Sequence, residues 1–502
     1  METLDLLWLG FMRALDPTNL LFCALGTFAG TAVGILPGIG PTAGIAILMP
    51  MTAVLGPEPA IIMLAGIYYG AMYGGSTTAI LINVPGEASS VATALDGYQL
   101  GLQGRPGVAL AIAAIGSFVA GTLGVVGLTF FAPLLAKVAL VFGPPEYFAV
   151  VMLALSVVIG LAGRSLLKGV ISGLLGFMIS FVGLDPLTGD SRLTFGSVHL
   201  TGGVEFISVI VGLFAFAEVF ANIEKRGGQV YIQKVGRLMP TWAELRSCIR
   251  PIFSGGAIGF VLGLLPGSSP SASAFLAYDF ERRIAREPER FGKGALEGVA
   301  APEAANNATS SANFIPLFSL GVPSSAPLAV LLGGLMMYGL QPGPLLFEKH
   351  ADFAWTVIAA MYIGNVLLLL LNLPLVGMWA RLIRIPYPIL GTLIIIFGFI
   401  GSYSVRNSFF DVWVAFGFGV LGYLFRKLDY PTTPLILCLI LAPIVESSFG
   451  QSLSMSGGNA AIFVERPIAL GLLVLAAIST GIAIVARFKA RRSIAQMVSD
   501  AA

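Results

Sequence analysis

Long apolar stretches run through this chain, divided by short polar turns. A helix needs about 20 mostly apolar residues to cross the hydrocarbon core of a bilayer. The clearest stretches of this kind lie near 108–136, 146–162, 166–184, 204–221, 353–380, 389–402, 409–425, 433–446 and 467–486. Further apolar stretches near 20–52, 60–95, 252–280 and 295–340 are interrupted by glycine, proline and polar residues. Backbone amides have no water to pair with in lipid, so each spanning element is expected to be a helix. The pattern predicts an all-α polytopic membrane protein with on the order of a dozen membrane helices.

Composition supports this class. Hydrophobic residues make up 56% of the 502 residues and charged residues 11%, where a soluble domain carries about 25% charge. The 62 glycines suit close helix packing and broken helices. A net charge of +2 offers no basic field for nucleic acid. Cys23, Cys248 and Cys438 are far apart in apolar or juxtamembrane sequence and form no CxxC pair, so they are expected to be small buried hydrophobes. Residues 1–20 carry Glu2, Asp5 and Asp16 against Arg13 and lack the basic start of a cleaved signal peptide. That segment is expected to stay in the mature chain.

Charge between the apolar stretches suggests sidedness. The connection near 222–250 holds Lys225, Arg226, Lys234, Arg237, Arg246 and Arg250. A second cluster is Arg282, Arg283, Arg286, Arg290 and Lys293, and the C-terminal tail adds Arg487, Lys489, Arg491 and Arg492. The positive-inside bias places all three in the cytoplasm.

The chain also repeats itself. Gly34-Ile-Leu-Pro-Gly-Ile-Gly-Pro-Thr-Ala-Gly44 recurs as Gly263-Leu-Leu-Pro-Gly-Ser-Ser-Pro-Ser-Ala-Ser273. Asn83-Val-Pro-Gly86 recurs as Gly321-Val-Pro-Ser324, and Arg105-Pro-Gly107 as Gln341-Pro-Gly343, in the same order at similar offsets. Internal duplication is a mark of secondary transporters. Residues 52–59 carry no Lys or Arg, while their counterparts in the second copy carry the Arg282–Lys293 cluster, as two inverted repeats would. The expected organisation is a first repeat at 1–222, a basic cytoplasmic linker at 223–250, a second repeat at 251–464, and a last helix with a basic cytoplasmic tail at 465–502.

Basic segments flank 252–280 on both sides, and one crossing cannot put both in the cytoplasm. Two half-crossings meeting at Pro266-Gly267 can, which predicts a re-entrant hairpin there and an inverted twin at 20–52 with its tip at Pro37–Gly40. The rival is a kinked continuous helix. Proline lacks an amide donor and glycine tolerates unusual dihedrals, so both suit a helix break.

Polar residues inside apolar segments are costly and mark functional positions. Four clusters qualify, all in the duplicated portions. The first is Pro37, Gly38, Gly40 and Thr42. The second is Gly75, Ser76, Thr77 and Thr78, followed by Asn83, Pro85, Gly86 and Glu87. The third is Pro266, Gly267, Ser268, Ser269 and Ser271. The fourth is Glu303, Asn306, Asn307, Thr309, Ser310, Ser311 and Asn313, followed by Pro323, Ser324 and Ser325. A broken helix presents free N–H groups and the positive end of its dipole to an anion, and small residues let a carboxylate approach. Freed carbonyls with oxygens such as those of Asn83, Asn306 and Ser310 can hold Na⁺. Glu303 can serve a proton or Na⁺, or cap a helix. The bland alternative is small-residue packing with hydroxyls bonded back to carbonyls.

Enzyme readings find little here. There is no GxxxxGK[ST] loop for a nucleotide-driven pump and no HExxH; His199 and His350 are isolated, and neither Ser76 nor Ser268 lies in a GxSxG frame. No cofactor is expected beyond a coupling Na⁺ or H⁺.

Residues 34–50, 69–100, 265–283 and 298–334, which carry GILPGIGPTAGIAILMP, YGAMYGGSTTAILINVPGEASS, LPGSSPSASAFLAYDFERR and GVAAPEAANNATSSANFIPLFSLGVPSS, resemble the large membrane subunit of the tripartite tricarboxylate transporters. The likeness follows the chain in order over nearly its whole length. It implies a three-part system in the bacterial inner membrane: this subunit, a small membrane subunit of about four helices, and a periplasmic solute-binding protein that captures the substrate. It further implies cation-coupled uptake of citrate or other tri- and dicarboxylates, with the site at the four clusters above. One departure is Ser324, where the family pattern leads one to expect glycine. The expected mechanism moves a carboxylate-bearing part relative to a scaffold, elevator-fashion. The rival functions are an organic-anion channel and a purely structural membrane scaffold.

Overall fold

The computed structural model describes residues 2–500 apart from 37, 162–164, 186–187, 224–234 and 266, with side chains described between residues 3 and 485. Pro37 and Pro266, at the two expected helix breaks, and Lys225, Arg226 and Lys234 of the basic linker therefore lie outside the described residues. So do the side chains of the basic C-terminal tail.

Helices dominate. In chain order the main ones are α1 (Glu2–Ala14), α2 (Pro17–Ile35), α3 (Gly40–Thr52), α4 (Pro57–Ile82), α5 (Ser90–Leu102), α6 (Pro106–Ala139), α7 (Pro144–Leu161) and α8 (Leu166–Ser180). There follow α9 (Phe206–Ile223), α10 (Trp242–Gly263), α11 (Pro270–Ile284), α12 (Glu297–Ala312), α13 (Phe314–Leu320) and α14 (Ala326–Met337). The last are α15 (Ala351–Asn372), α16 (Tyr387–Arg406), α17 (Phe409–Lys427), α18 (Thr432–Met455) and α19 (Pro467–Asp500). Among the described residues, 9 helices are long and apolar enough to cross a membrane. The strand content described is a small antiparallel ribbon pairing Gly183 with Arg192 and Leu184 with Ser191.

Local chemistry sets the helix ends. Asp16 accepts from the Thr18 amide at 3.0 Å, with Pro17 opening α2. Thr241 and Glu244 form a reciprocal capping box at the start of α10. Ser269 accepts from the Ala272 amide at 3.2 Å, with Pro270 opening α11. At the other end, α4 and α13 both stop on a left-handed residue, Asn83 at φ 57° and Gly321 at φ 72°.

The chain divides into two compact units. The larger comprises residues 1–140 and 206–423. At its centre is α12, buried from Gly298 to Ala312 although it carries Glu303, Asn306, Asn307, Thr309, Ser310 and Ser311. It packs against α4, α5, α6, α10, α11 and α13. Two of the tightest helix pairs in this unit use the same device. Gly26, Gly30 and Gly34 of α2 lie against the backbone of Met63, Ile67 and Ala71 on α4. Gly255, Gly259 and Gly263 of α10 lie against the backbone of Ala301, Ala305 and Thr309 on α12. The second triplet of glycines follows the first at one constant offset, and so do their partners. Removing side chains at four-residue spacing brings the helix backbones together.

The helices α10 and α11 double back on each other. Arg250, in the first half of α10, bonds Glu281, near the end of α11, at 2.8 Å, and Ser254 bonds the same carboxylate at 2.5 Å. This is a hairpin in the plain sense; a continuous kinked helix would carry these residues apart. Within α9, Val211–Phe216 is wound as a π-helix.

The smaller unit comprises residues 141–205 and 424–502. Here α7 packs on α18 and α19, and α8 on α18. Glu146, whose side chain is 3% exposed, pairs with Arg466 at 3.1 Å and accepts from the Gly143 amide. Arg192 of the ribbon pairs with Asp185 at 3.2 Å and with Glu446.

Candidate functional site

Residues one helical turn apart share a face, and α12 shows different chemistry on each of its faces. Thr309 hydroxyl donates across to the Gly259 carbonyl at 2.9 Å and back to Ala305, so this face belongs to packing against α10.

Glu303 and Asn307 form a second face, turned to α5 and α6. Thr93 of α5 donates to one Glu303 oxygen at 2.5 Å, and Ser117 of α6 donates to the other at 3.2 Å. Asn307 donates to the Ser117 hydroxyl at 2.7 Å and to the Glu303 carbonyl at 3.1 Å. Glu303 is 1% exposed, and no ion pair reaches it among the described residues. A small cavity beside it is lined by Tyr73, Ser76, Thr77, Ser117, Glu303 and Asn372.

Asn306, Ser310 and Asn313 fall along a third face, on which Ser310 and Asn313 meet Tyr68 of α4. Asn313 donates to the Tyr68 hydroxyl at 3.4 Å, and Ser310 and Ser325 lie beside that hydroxyl. Both side-chain polar atoms of Asn306 are buried without a partner, as are Asn313 Oδ1, Ser324 Oγ and Ser325 Oγ. Each such atom costs about 1–3 kcal/mol if nothing binds it. These atoms can each take a hydrogen bond that the described residues do not supply.

The other expected residues take local roles. Gly86 abuts the Gly34 carbonyl and the Gly75 backbone, and its amide donates to Gly75. A Cβ there would collide with Gly34, so glycine is required at this contact. Ser324, the corresponding position in the second copy, carries a side chain and keeps its hydroxyl unpartnered. Pro85 is half-buried beside Gly86, and Pro323 is buried before Ser324. Asn83 is an exposed helix terminator, whereas Asn306 is 1% exposed. Glu87 accepts from the Ser89 and Ser90 amides at 2.7 and 2.8 Å, capping α5. Thr77 lines the cavity beside Glu303; the Ser76 hydroxyl there is buried and unpartnered. Gly38 and Gly40 take φ of +93° and +66°, and Gly38 abuts Glu218 and Asn222 of α9; Thr42 is half-buried in the first turn of α3. Gly267 turns at φ +82°, Ser268 donates back to the Leu262 carbonyl, Ser269 is the α11 cap, and Ser271 sits half-buried in its first turn. Arg105 pairs with Glu244 at the N-terminal ends of α6 and α10.

Sequence reasoning overlooked Thr93, Ser117 and Tyr68. Ser117 was visible as a polar residue inside the 108–136 run; what it faces, 186 positions away, was not.

A model of the "Tripartite tricarboxylate transporter TctA family" matches residues 20–437. The chain belongs to the TctA family. A protein of Agrobacterium vitis described as "Uncharacterized 52.8 kDa protein in TAR-I ttuC' 3'region" is 44% identical over 493 residues, 98% of each chain. A second, "Uncharacterized protein in TAR-II ttuC' 3'region" from the same organism, is 39% identical over 234 residues, covering 47% of this chain and 97% of its own. No solved structure matches. This TctA-family chain is thus a multi-pass membrane protein of a tricarboxylate transporter family, one component of a tripartite system and not a member of an enzyme family. Both polar faces of α12 and the Ser324–Ser325 turn fall within the matched residues.

Proposed function

We propose that this chain is the large subunit of a secondary carrier that takes up citrate-like tri- or dicarboxylates across the bacterial inner membrane. It is driven by a cation gradient and works with a small four-helix membrane subunit and a periplasmic solute-binding protein. The single observation that carries this reading is the set of buried donors without a partner, the Asn306 amide N–H and the hydroxyls of Ser324 and Ser325. An amide and hydroxyls can donate to carboxylate oxygens, and neutral donors of this kind let the anion leave again. Gly86 is closed against the Gly34 carbonyl in the first copy, whereas Ser324 in the second carries a buried hydroxyl without a partner, which supports an anion seat weighted to the second copy. Support for two repeats comes from the matching glycine contacts of α2–α4 and α10–α12.

The test is accumulation of radiolabelled citrate, succinate and malate against a concentration gradient in vesicles bearing the assembled system. A carrier concentrates its substrate and loses most uptake in Ser324→Ala and Asn306→Leu. Equilibration without accumulation would favour an anion channel, and unaltered uptake in both variants would remove the seat.

A further inference from the structure

Glu303 is a carboxylate enclosed in the middle of the larger unit, held by the hydroxyls of Thr93 and Ser117 and, among the described residues, by no counter-charge. Burying an ionised carboxylate without a cation is strongly unfavourable, and such a group is retained inside membranes chiefly where it moves protons or ions. Resting on the carrier reading above, we infer that Glu303 is the proton-coupling group of this transporter, loaded and unloaded in step with the anion held on the neighbouring face of α12.

Three observations carry the inference. The first is the partner set. Ser117 both donates to Glu303 and accepts from Asn307, and Thr93 holds the other oxygen. A hydroxyl can donate to a carboxylate or accept from a carboxylic acid, so this set serves both protonation states with little rearrangement. The second is how the set is oriented. Asn307 fills the Ser117 acceptor position, so the Ser117 hydroxyl is left to point its proton at the Glu303 carboxylate, an arrangement of neutral donors around the acid. The third is the polar lining beside the carboxylate: the small cavity at Glu303 is bordered by Ser76, Thr77 and Asn372, and Ser76 also faces the carboxylate.

The surrounding groups leave Glu303 as the one that switches. Tyr73 faces it from α4, with its hydroxyl committed to Asn365 at 2.6 Å. Glu87 approaches from the turn after α4, held by the amides at the start of α5. Asp96, one turn beyond Thr93 on α5, is taken by Tyr278 of α11 and the amides of Gly294 and Ala295. Glu281 of α11 is held by Arg250 of α10. From α6 the facing group is the neutral Ser117, and α13 presents no charged residue.

Coupling follows from geometry. Glu303 and Asn306 stand three residues apart on one buried helix. An anion at Asn306 repels an ionised Glu303 through low-dielectric protein, so it binds best when Glu303 is protonated, and by reciprocity its arrival favours proton uptake. The proton binds the carboxylate on the side of entry and leaves when the anion has gone.

The experiment uses the assembled transporter in sodium-free proteoliposomes with a pH-sensitive dye and a panel of citrate, succinate and malate. Protons are expected to enter with the substrate. Above the titration range of Glu303, and with the substrate fully ionised, affinity should weaken about tenfold per pH unit. Glu303→Gln should lose proton movement and flatten that pH profile, while Glu303→Asp should restore both in part. Proton entry persisting in a folded Glu303→Gln protein would overturn the inference. So would wild-type accumulation that needs sodium and moves no protons, a measurement that decides even if the variant does not fold. Failure of every carboxylate to accumulate under either gradient would instead remove the carrier reading.

Discussion

Gly259 and Ala305 touch backbone to backbone: a Cβ on the glycine would run into the alanine carbonyl oxygen. Gly30 stands in the same relation to Ile67. Gly259→Leu or Gly30→Leu should therefore cost about 1–3 kcal/mol or more, because the neighbour at each contact is main chain and cannot swing aside. The check is thermal unfolding of the detergent-purified protein. Gly417, exposed on α17 with nothing within 4 Å of where a Cβ would stand, is the control; Gly417→Ala should be neutral or stabilise by up to ~1 kcal/mol.

Asn306→Leu should separate stability from transport. Both polar atoms of Asn306 are buried and unpartnered, so an apolar side chain of the same branching removes a penalty of about 1–3 kcal/mol. Melting temperature should hold or rise while uptake falls by tenfold or more. A parallel drop in both would mean that Asn306 has a structural partner.

The doubling back of α10 and α11 sets a labelling result. Single cysteines at Arg246 and Glu287, beyond the two ends of the Arg250–Glu281 contact, should react with an impermeant maleimide from one side of the membrane. Background should be low, since Cys23, Cys248 and Cys438 are each 0% exposed.

In the smaller unit, Arg466→Met should cost about 1–3 kcal/mol, since it strands Glu146 with the Gly143 amide as its remaining partner. The Arg466 side chain is 40% exposed, which keeps the loss at the modest end. Adding Glu146→Gln should recover part of it, measured as a double-mutant cycle on melting temperature.

Much of the fold was legible in the sequence. The run expected at 108–136 is α6, and those at 409–425 and 467–486 fall on α17 and α19, because spans are set by length and hydropathy alone. The breaks near Gly38 and Gly267 were legible for the same reason: proline and glycine punctuate helices locally. The centre of the molecule was harder. Residues 297–312 lie in the interrupted apolar stretch expected near 295–340, but burial on every side was not legible there, because it comes from glycine-lined α10 and from α6, elements distant in sequence. Glu303 was visible as a suspect, but Thr93, 210 positions away, was not. A π-helical stretch such as Val211–Phe216 carries no period that a sequence reader tests.

The glycine contacts also limit how the molecule can move. A helix keyed into its neighbour at every fourth residue cannot creep along it, because a shift of one position would bring a side chain onto a carbonyl. The α2–α4 and α10–α12 couples behave as fused girders, and any stroke of the machine has to be taken up at joints where no such teeth engage.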